Sequence, residues 1–168
     1  MDASPWGGGA VLYVNDRPSE FYAVTWDQDD FADQDVQVGE PRSQTYFEVL
    51  AFVLAVDLWG IEERPTPVLG DNTAALGEAL VLRGKGSHRP LAQALAVIRA
   101  RQNIDIVVAH LPSEDNTAAD ALSRLSAPGD DSKPFPFEGW APPPRQVRPS
   151  SPRWLWSLLT MASGPPRE

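Results

Sequence analysis

The chain has 168 residues, of which 42% are hydrophobic and 22% charged, a composition typical of a globular protein. It contains no cysteine, which excludes a disulfide framework, a thiolate nucleophile and any metal site built on cysteine. No apolar run in the sequence is long enough to span a membrane, and no basic segment precedes an apolar one near the first residue. We therefore expect an intracellular protein, cytoplasmic or nuclear, with no membrane partner.

Charge and proline divide the chain into two parts. The net charge is −9, and the tail after Ala127 holds five basic and four acidic residues, which leaves a charge of −10 on the body. Such a body suits a protein that gathers carboxylates around a cation better than one that binds phosphate unaided. Ten of the 17 prolines lie from Pro128 onward, so we predict a compact domain over residues 1–126 and a Pro-rich, mostly disordered tail over residues 127–168. Some apolar side chains of this tail either dock on the body or on a partner, or stay unstructured: Trp154, Trp156, Leu158 and Leu159.

The first predicted elements are two strands. Residues 8–14 and 20–25 are β-prone runs on either side of a turn-like Asn-Asp-Arg-Pro sequence, which predicts an antiparallel hairpin. The acidic stretch over residues 27–35 has no periodicity and is predicted to be a solvated loop or edge.

A helix and a strand-to-helix junction follow. Thr45-Tyr46-Phe47-Glu48 has the form of a capping box, and apolar residues then recur at helical spacing until Gly60, which predicts the first helix. Residues 67–70 predict a short apolar strand that ends at Asp71, and residues 72–82 predict the next helix.

The last predicted elements complete an α/β pattern. Residues 89–102 form an Ala-rich amphipathic helix, and residues 104–109 form a strand. Asn116 is predicted to be the N-cap of a final helix. The predicted order is β-β-α-β-α-α-β-α.

Four acids lie where these elements put strand ends or core-facing positions: Asp2, Glu48, Asp71 and Asp120. Taken singly, Glu48 is explained as the acid of a capping box, Asp71 as an N-cap and Asp120 as a solvated helix residue. Brought to one point, four carboxylates repel one another and have raised pKa values unless cations neutralise them. Oxygen ligands favour Mg²⁺ or Mn²⁺, and two such ions about 4 Å apart support phosphoryl transfer.

The motifs around these acids resemble those of the type 1 ribonuclease H family. Asp2 with the following glycine-rich run, Phe47-Glu48, and Gly70-Asp71-Asn72 are similar to the family's first three motifs. The segment from His110 to Arg124, which ends in Ala-Asp-Ala-Leu-Ser-Arg, is the most specific match. It is similar to the ribonuclease H domains that follow reverse transcriptase in DIRS-like or gypsy-like retroelements. The resemblance covers residues 2 to about 126.

This resemblance implies a ribonuclease H-like α/β fold, with a central mixed sheet flanked by helices. It implies that the four acids Asp2, Glu48, Asp71 and Asp120 bind two Mg²⁺ ions, for which Mn²⁺ can substitute, and that His110 assists catalysis. The implied activity is endonucleolytic hydrolysis of the RNA strand of RNA/DNA hybrids during retroelement reverse transcription. The implied partners are the hybrid itself and a reverse transcriptase domain of a parent polyprotein.

Substrate contacts are expected in two places. The resemblance implies them at Asn72 and Asn116, which belong to the matched motifs. The basic cluster that contains Arg83, Lys85 and Arg89 is either a phosphate contact or a solvated loop between two helices.

A missing first strand and the negative charge of the body weaken the expectation of activity. The family's first strand runs into the first Asp, whereas only Met1 precedes Asp2 here, so we expect that strand to be largely missing and the chain to be truncated at its N-terminus. The acidic stretch also blurs the family's usual third strand. A catalytically inactive ribonuclease H-like remnant or interaction module of a decayed retroelement is therefore an alternative. Another nuclease or an integrase of the same broad fold is a further one.

Overall fold

A computed structural model gives the protein over residues 1–72, 76–77, 81 and 86–163. The described part is a mixed α/β fold with helices packed on both faces of the strands. The strands, in chain order, are β1 (Asp2–Ser4), β2 (Gly7–Val14), β3 (Arg17–Thr25), β4 (Pro65–Gly70), β5 (Asp105–His110) and β6 (Arg145–Gln146). The α-helices whose bounds lie within these ranges are α1 (Gln44–Trp59), α2 (Arg89–Gln102), α3 (Thr117–Ser123) and α4 (Pro152–Ser163).

The predicted hairpin is confirmed. β2 and β3 pair antiparallel, and the two residues between them, Asn15 and Asp16, have φ angles of 52° and 59°. Asn and Asp tolerate this left-handed conformation, which a tight turn between twisted strands requires. β3 ends at Thr25, so the third strand lies wholly before the acidic stretch and is not blurred by it.

The strands form two neighbouring sheets. One has the order β1-β2-β3-β6, with β1 antiparallel to β2, and the other pairs β4 and β5 in parallel. The amine nitrogen of Met1 donates to the carbonyl oxygen of Leu69 at 2.7 Å, so the start of β1 lies beside the end of β4. β1 has three residues and is much shorter than β2.

The three glycines that open β2 leave room for close neighbours on both faces of the sheet. A Cβ atom at Gly9 would lie 2.5 Å from Cβ of Leu122 on α3, whereas a Cβ atom at Gly8 would lie 2.6 Å from the ring of Trp26 on the opposite face. Both distances are shorter than any van der Waals contact between carbon atoms. The glycines therefore fix how near α3 lies to β1 and β2.

The helix α1 is the centre of the main core. All residues from Tyr46 to Val56 are buried, which includes both faces of the helix. One end packs into an aromatic cluster, in which the rings of Trp26 and Phe47 stack with centroids 5.4 Å apart and Phe31 meets Phe47 edge-on.

The predicted start of α1 needs a correction. The helix begins at Gln44, directly after a 3₁₀ turn over Pro41–Ser43, and its N-cap residue Ser43 makes no side-chain capping bond. Thr45 therefore lies inside the helix, and the Thr45–Glu48 pair does not form a capping box. Glu48 is instead a buried residue of the second turn.

The other helices match their predictions to different extents. α2 spans residues 89–102 as predicted. Of the helix predicted over residues 72–82, Leu76, Gly77 and Val81 are helical, and most of its remaining residues lie outside the described part of the chain. Asn116 occupies the N-cap position of α3 but makes no side-chain capping bond.

The segment after residue 127 differs from the mostly disordered tail that its proline content predicted. Leu155 and Leu158 of α4 are buried in the main core, where α4 packs against α2. Phe137 is buried in a smaller cluster with Phe21 and Leu122. These apolar residues are buried by contacts with residues far away in the sequence, which the composition of the segment does not predict. None of the helices in the described ranges has the length and apolarity needed to cross a membrane.

Candidate metal centre

Three carboxylates from three different elements meet at one point. Asp2 lies on β1, Glu48 on α1, and Asp71 directly after β4. One carboxylate oxygen of each lies within 4.8 Å of one oxygen of each of the others. Asp2 and Glu48 are buried, with exposed fractions of 5% and 4%, and Asp71 is half-buried. Such a set offers a divalent cation oxygen ligands only.

Asp2 is held from the side of α3. The hydroxyl of Ser123 lies 2.9 Å from Oδ2 of Asp2 and can donate to it. The pKa of Asp2 is raised to about 6, mainly by burial; the charges of Asp71 and Asp120 act in the same direction, and the hydrogen bond from Ser123 opposes them. The carboxylate is thus placed where its own charge is disfavoured unless a cation is near.

Glu48 is held by a residue of its own helix. The Nε2 atom of Gln44, one turn earlier, donates to Oε1 of Glu48 at 2.7 Å and to the carbonyl oxygen of Ala3 at 2.6 Å. An amide nitrogen has two hydrogens, so both bonds form at once and tie α1 to β1. Burial, followed by the charge of Asp2, raises the pKa of Glu48 to about 8.

Asp71 is positioned by the end of the parallel pair. The hydroxyl of Ser113, in the loop after β5, donates to Oδ2 of Asp71 at 2.9 Å. Gly70, the residue before Asp71, pairs with His110 at the end of β5. The carboxyl ends of two parallel strands thus meet at the carboxylate cluster, as ligand sites in α/β sheets commonly do.

The fourth predicted ligand, Asp120, is not part of this cluster. Its Oδ1 accepts a hydrogen bond from Nε of Arg124 at 2.7 Å, and its Oδ2 forms an ion pair with the ammonium of Lys133. Burial acts to raise the pKa of Asp120, but its bonds to Lys133 and Arg124 outweigh that effect and lower it. The charge of Asp120 still raises the pKa of Asp2, so Asp120 lies near the cluster without belonging to it.

The remaining predicted site residues have separate positions. His110 is exposed at the end of β5, and Asn72 directly follows Asp71. Asn116 is buried, and its Nδ2 donates to the carbonyl oxygen of Met1 at 3.2 Å, so it holds the residue before Asp2. Of the predicted basic contacts, Arg89 is exposed at the first position of α2, whereas Arg83 and Lys85 lie outside the described residues.

The donor set of the cluster fits a hard divalent cation. The cluster holds two buried carboxylates and one half-buried carboxylate, and burial first, then the repulsion between them, raises the pKa values of Asp2 and Glu48. A divalent cation would remove this repulsion, and oxygen ligands of this kind suit Mg²⁺ and Mn²⁺.

Several supporting residues had no role assigned by sequence. The spacing of Gln44 and Glu48 is i, i+4, which places both on one face of a helix and was a usable signal. Ser123 and Arg124 were visible in the Ala-Asp-Ala-Leu-Ser-Arg motif, without a role. Lys133 lies 13 residues after Asp120, and nothing in the local sequence connects the two.

Comparison of this chain with protein-family models, with curated proteins and with solved structures found no match. Its function is therefore inferred from its own residues and their geometry.

Proposed function

We propose that the chain is a metal-dependent endoribonuclease of the ribonuclease H type, which hydrolyses the RNA strand of RNA/DNA hybrids as part of retroelement reverse transcription. The observation that carries the proposal is the meeting of Asp2, Glu48 and Asp71 within 4.8 Å. These are the first three acids of the sequence resemblance, and they come together from distant parts of the chain.

The order of elements supports a ribonuclease H-like fold in the same way. An antiparallel run of three strands leads through α1 to a parallel pair of strands, and a helix carrying the fourth acid packs on the face opposite α1. This arrangement puts the first and third acids at adjacent strands, because Met1 bonds to Leu69.

In this proposal Asp2, Glu48 and Asp71 hold the cation, with Asp120 as a further ligand once it is released from its ion pairs. Bound Mg²⁺ would supply an activated water and stabilise the leaving oxygen of the cleaved phosphodiester. The protein's own part is to fix the ligands: Ser123 orients Asp2, and Gln44 orients Glu48. His110, which is exposed at the end of β5, is proposed to assist product release.

The charge of the chain affects how strongly it would bind the proposed substrate. The chain has a net charge of −9, so its unaided affinity for a nucleic acid is expected to be weak and to fall as salt rises. A reverse transcriptase domain in a parent polyprotein would supply the missing phosphate contacts. Within the chain, Asn72 and the basic residues Arg83, Lys85 and Arg89 remain the proposed contacts to the hybrid. Asn116 is buried and bonded to Met1, so its expected role as a substrate contact is replaced by one in holding the start of β1.

The test is cleavage of a labelled RNA strand in an RNA/DNA hybrid at low salt with Mg²⁺ or Mn²⁺. Asp71→Asn should abolish cleavage, because it removes one negative ligand while keeping the shape of the side chain. The matched control is Asp105→Asn, an exposed acid at the far end of β5, which should cleave as the unmodified chain does. Cleavage by Asp71→Asn at the original rate would overturn the proposal.

A second candidate function is a non-enzymatic module that keeps the fold. The observation that favours it is the pairing of both Asp120 oxygens with Arg124 and Lys133, which leaves three acids in the cluster. This candidate predicts Mg²⁺ binding without hybrid cleavage, both before and after Lys133→Ala. Cleavage by either protein would exclude it.

A further inference from the structure

A pocket of about 440 Å³ lies beside the helix that carries Asp120. One wall is α3, over residues 117–121, and another is the segment over residues 133–140, which folds back against this helix. The end of the hairpin of β2 and β3 supplies a third wall. The volume lies within the range of about 300–1,000 Å³ that is typical of sites for small ligands. We call this space the tail pocket.

The tail pocket contains a cation that has hydrogen-bonding capacity to spare. The ammonium of Lys133 forms an ion pair with Oδ2 of Asp120, and Nε of Arg124 donates to Oδ1 of the same carboxylate at 2.7 Å. Two cations thus share one carboxylate, which balances the charge of only one of them. The side chain of Lys133 is 47% exposed, and its ammonium has three hydrogens, so it can bond to Asp120 and to a phosphate oxygen at the same time.

The tail pocket also has exposed aromatic rings. Tyr13 and Trp140 line it and are 55% and 50% exposed. The ring of Trp140 meets that of Phe137 edge-on, with centroids 5.7 Å apart, and Phe137 is buried. The indole is therefore anchored to the smaller core cluster while it stays open to solvent. Aromatic rings of this kind beside a cation are typical of sites that bind single-stranded nucleic acid, because bases stack on the rings and the cation attracts the phosphates.

The tail pocket adjoins the carboxylate cluster. Asp120 lines the pocket, and the hydroxyl of Ser123 lies 2.9 Å both from the carbonyl oxygen of Asp120 and from Oδ2 of Asp2 in the cluster. A nucleic acid strand at the cluster would therefore pass close to the pocket. Within a duplex the bases are stacked and paired, whereas an unpaired nucleotide offers both a phosphate and a free base face.

We propose that the tail pocket binds an unpaired nucleotide of the strand that continues from the hybrid, with Lys133 bonded to its phosphate and Trp140 stacked on its base. The inference rests on the proposed function for the source of that strand. Every base has a face that can stack, so the pocket selects an unpaired nucleotide without selecting its sequence. A hybrid with a single-stranded extension is then a better ligand than a blunt one.

The probe is a short, fluorescently labelled oligothymidine. Its binding to the full chain is measured by fluorescence anisotropy at low salt with EDTA, so that neither a metal ion nor cleavage contributes. An abasic oligonucleotide of the same length keeps the phosphates and lacks the bases. We expect the abasic strand to bind at least about fivefold more weakly, because it cannot stack on Trp140.

Variants at exposed positions locate the site. Trp140→Ala should weaken the binding of oligothymidine at least about fivefold and leave the binding of the abasic strand unchanged. Lys133→Ala should weaken the binding of both strands, whereas Lys133→Arg keeps the charge and should bind as the unmodified chain does. The matched controls outside the pocket are Trp154→Ala, at a tryptophan that is 38% exposed, and Arg148→Ala, at an exposed cation. Both controls should bind as the unmodified chain does.

A hybrid with a single-stranded extension should bind more tightly than a blunt hybrid, and Trp140→Ala should remove the difference. The inference is overturned by an absence of oligothymidine binding, by equal binding of the abasic strand, or by unchanged binding to both Trp140→Ala and Lys133→Ala. These assays need no metal, so they are independent of the cleavage test with Asp71→Asn. Hybrid cleavage without pocket-dependent binding would overturn this inference alone, and pocket-dependent binding without hybrid cleavage would overturn the proposed function alone.

Discussion

The cost of burying the carboxylate cluster should appear as a pH dependence of stability that one substitution removes. Without a cation, Glu48 has a pKa raised from an ordinary value of 4.5 to about 8 in the folded protein. The folded state therefore binds the proton of Glu48 more tightly than the unfolded state does. The stabilisation by that proton is complete below about pH 4.5, and it is lost as the pH rises to about 8.

The size of the effect follows from the same two values. Each pH unit between them removes about 1.4 kcal/mol, so ionising Glu48 in the closed, metal-free site costs on the order of 5 kcal/mol. The total stability of a domain is about 5–15 kcal/mol, so this cost is a large part of it. Asp2, with its pKa raised to about 6, adds a smaller loss in the same direction at lower pH.

The perturbation is Glu48→Gln, whose amide stays neutral and whose oxygen can still accept the bond from Gln44. We expect the free energy of unfolding of the unmodified chain, measured by urea denaturation with EDTA, to fall from about pH 5 to about pH 9. In Glu48→Gln most of that fall should disappear. Saturating Mg²⁺ should restore the unmodified chain at about pH 9 and have a much smaller effect on the variant.

The matched control is Glu114→Gln, an exposed glutamate in the loop after β5. It should keep the pH dependence and the Mg²⁺ response of the unmodified chain. The reasoning is refuted if Glu48→Gln loses as much stability between about pH 5 and about pH 9 as the unmodified chain, or if Mg²⁺ stabilises both equally.

Three further substitutions test other parts of the structure. Lys133→Ala should free Oδ2 of Asp120, while Arg124 keeps its bond to Oδ1, and should tighten Mg²⁺ binding several-fold, which isothermal titration calorimetry would measure. An unchanged affinity would mean that Asp120 does not contribute to the site. Gly9→Ala should destabilise the fold by about 3 kcal/mol through its clash with α3, whereas Gly77→Ala, with open space around it, should not lower the melting temperature. Leu155→Ala should cost about 2–5 kcal/mol in urea denaturation, and a cost near zero would mean that α4 is not packed in the core.

Local signals predicted much of the fold. The bounds of α2 agree with its sequence pattern, because an Ala-rich amphipathic run carries both its own propensity and its buried face. The hairpin was predictable because Asn15 and Asp16 are turn residues between two β-prone runs. The start of α1 was not predicted correctly, because a capping box is a purely local pattern. In the folded chain Gln44 is already helical, and its side chain bonds to Ala3 on β1 and to Glu48.

Long-range contacts account for what the sequence could not predict. Proline density correctly excluded regular structure from most of residues 128–151, but it gave no information on whether Phe137 or Leu155 would find an apolar partner. The pairing of Lys133 with Asp120 is of the same kind, since it depends on where the segment after α3 folds back.

The carboxylate cluster is held together by bonds between elements rather than by any one of them. Ser123 of α3 holds Asp2 of β1, and Gln44 of α1 joins Glu48 to the backbone of β1. Each bond keeps a carboxylate in place although the other carboxylates repel it. The cluster is therefore electrostatically unfavourable in the folded protein. Such an arrangement costs stability in the absence of a cation and regains it when one binds, because binding to the folded state alone stabilises that state. The pH response and the Mg²⁺ response of Glu48→Gln therefore both test whether the charge of Glu48 is the main source of this cost.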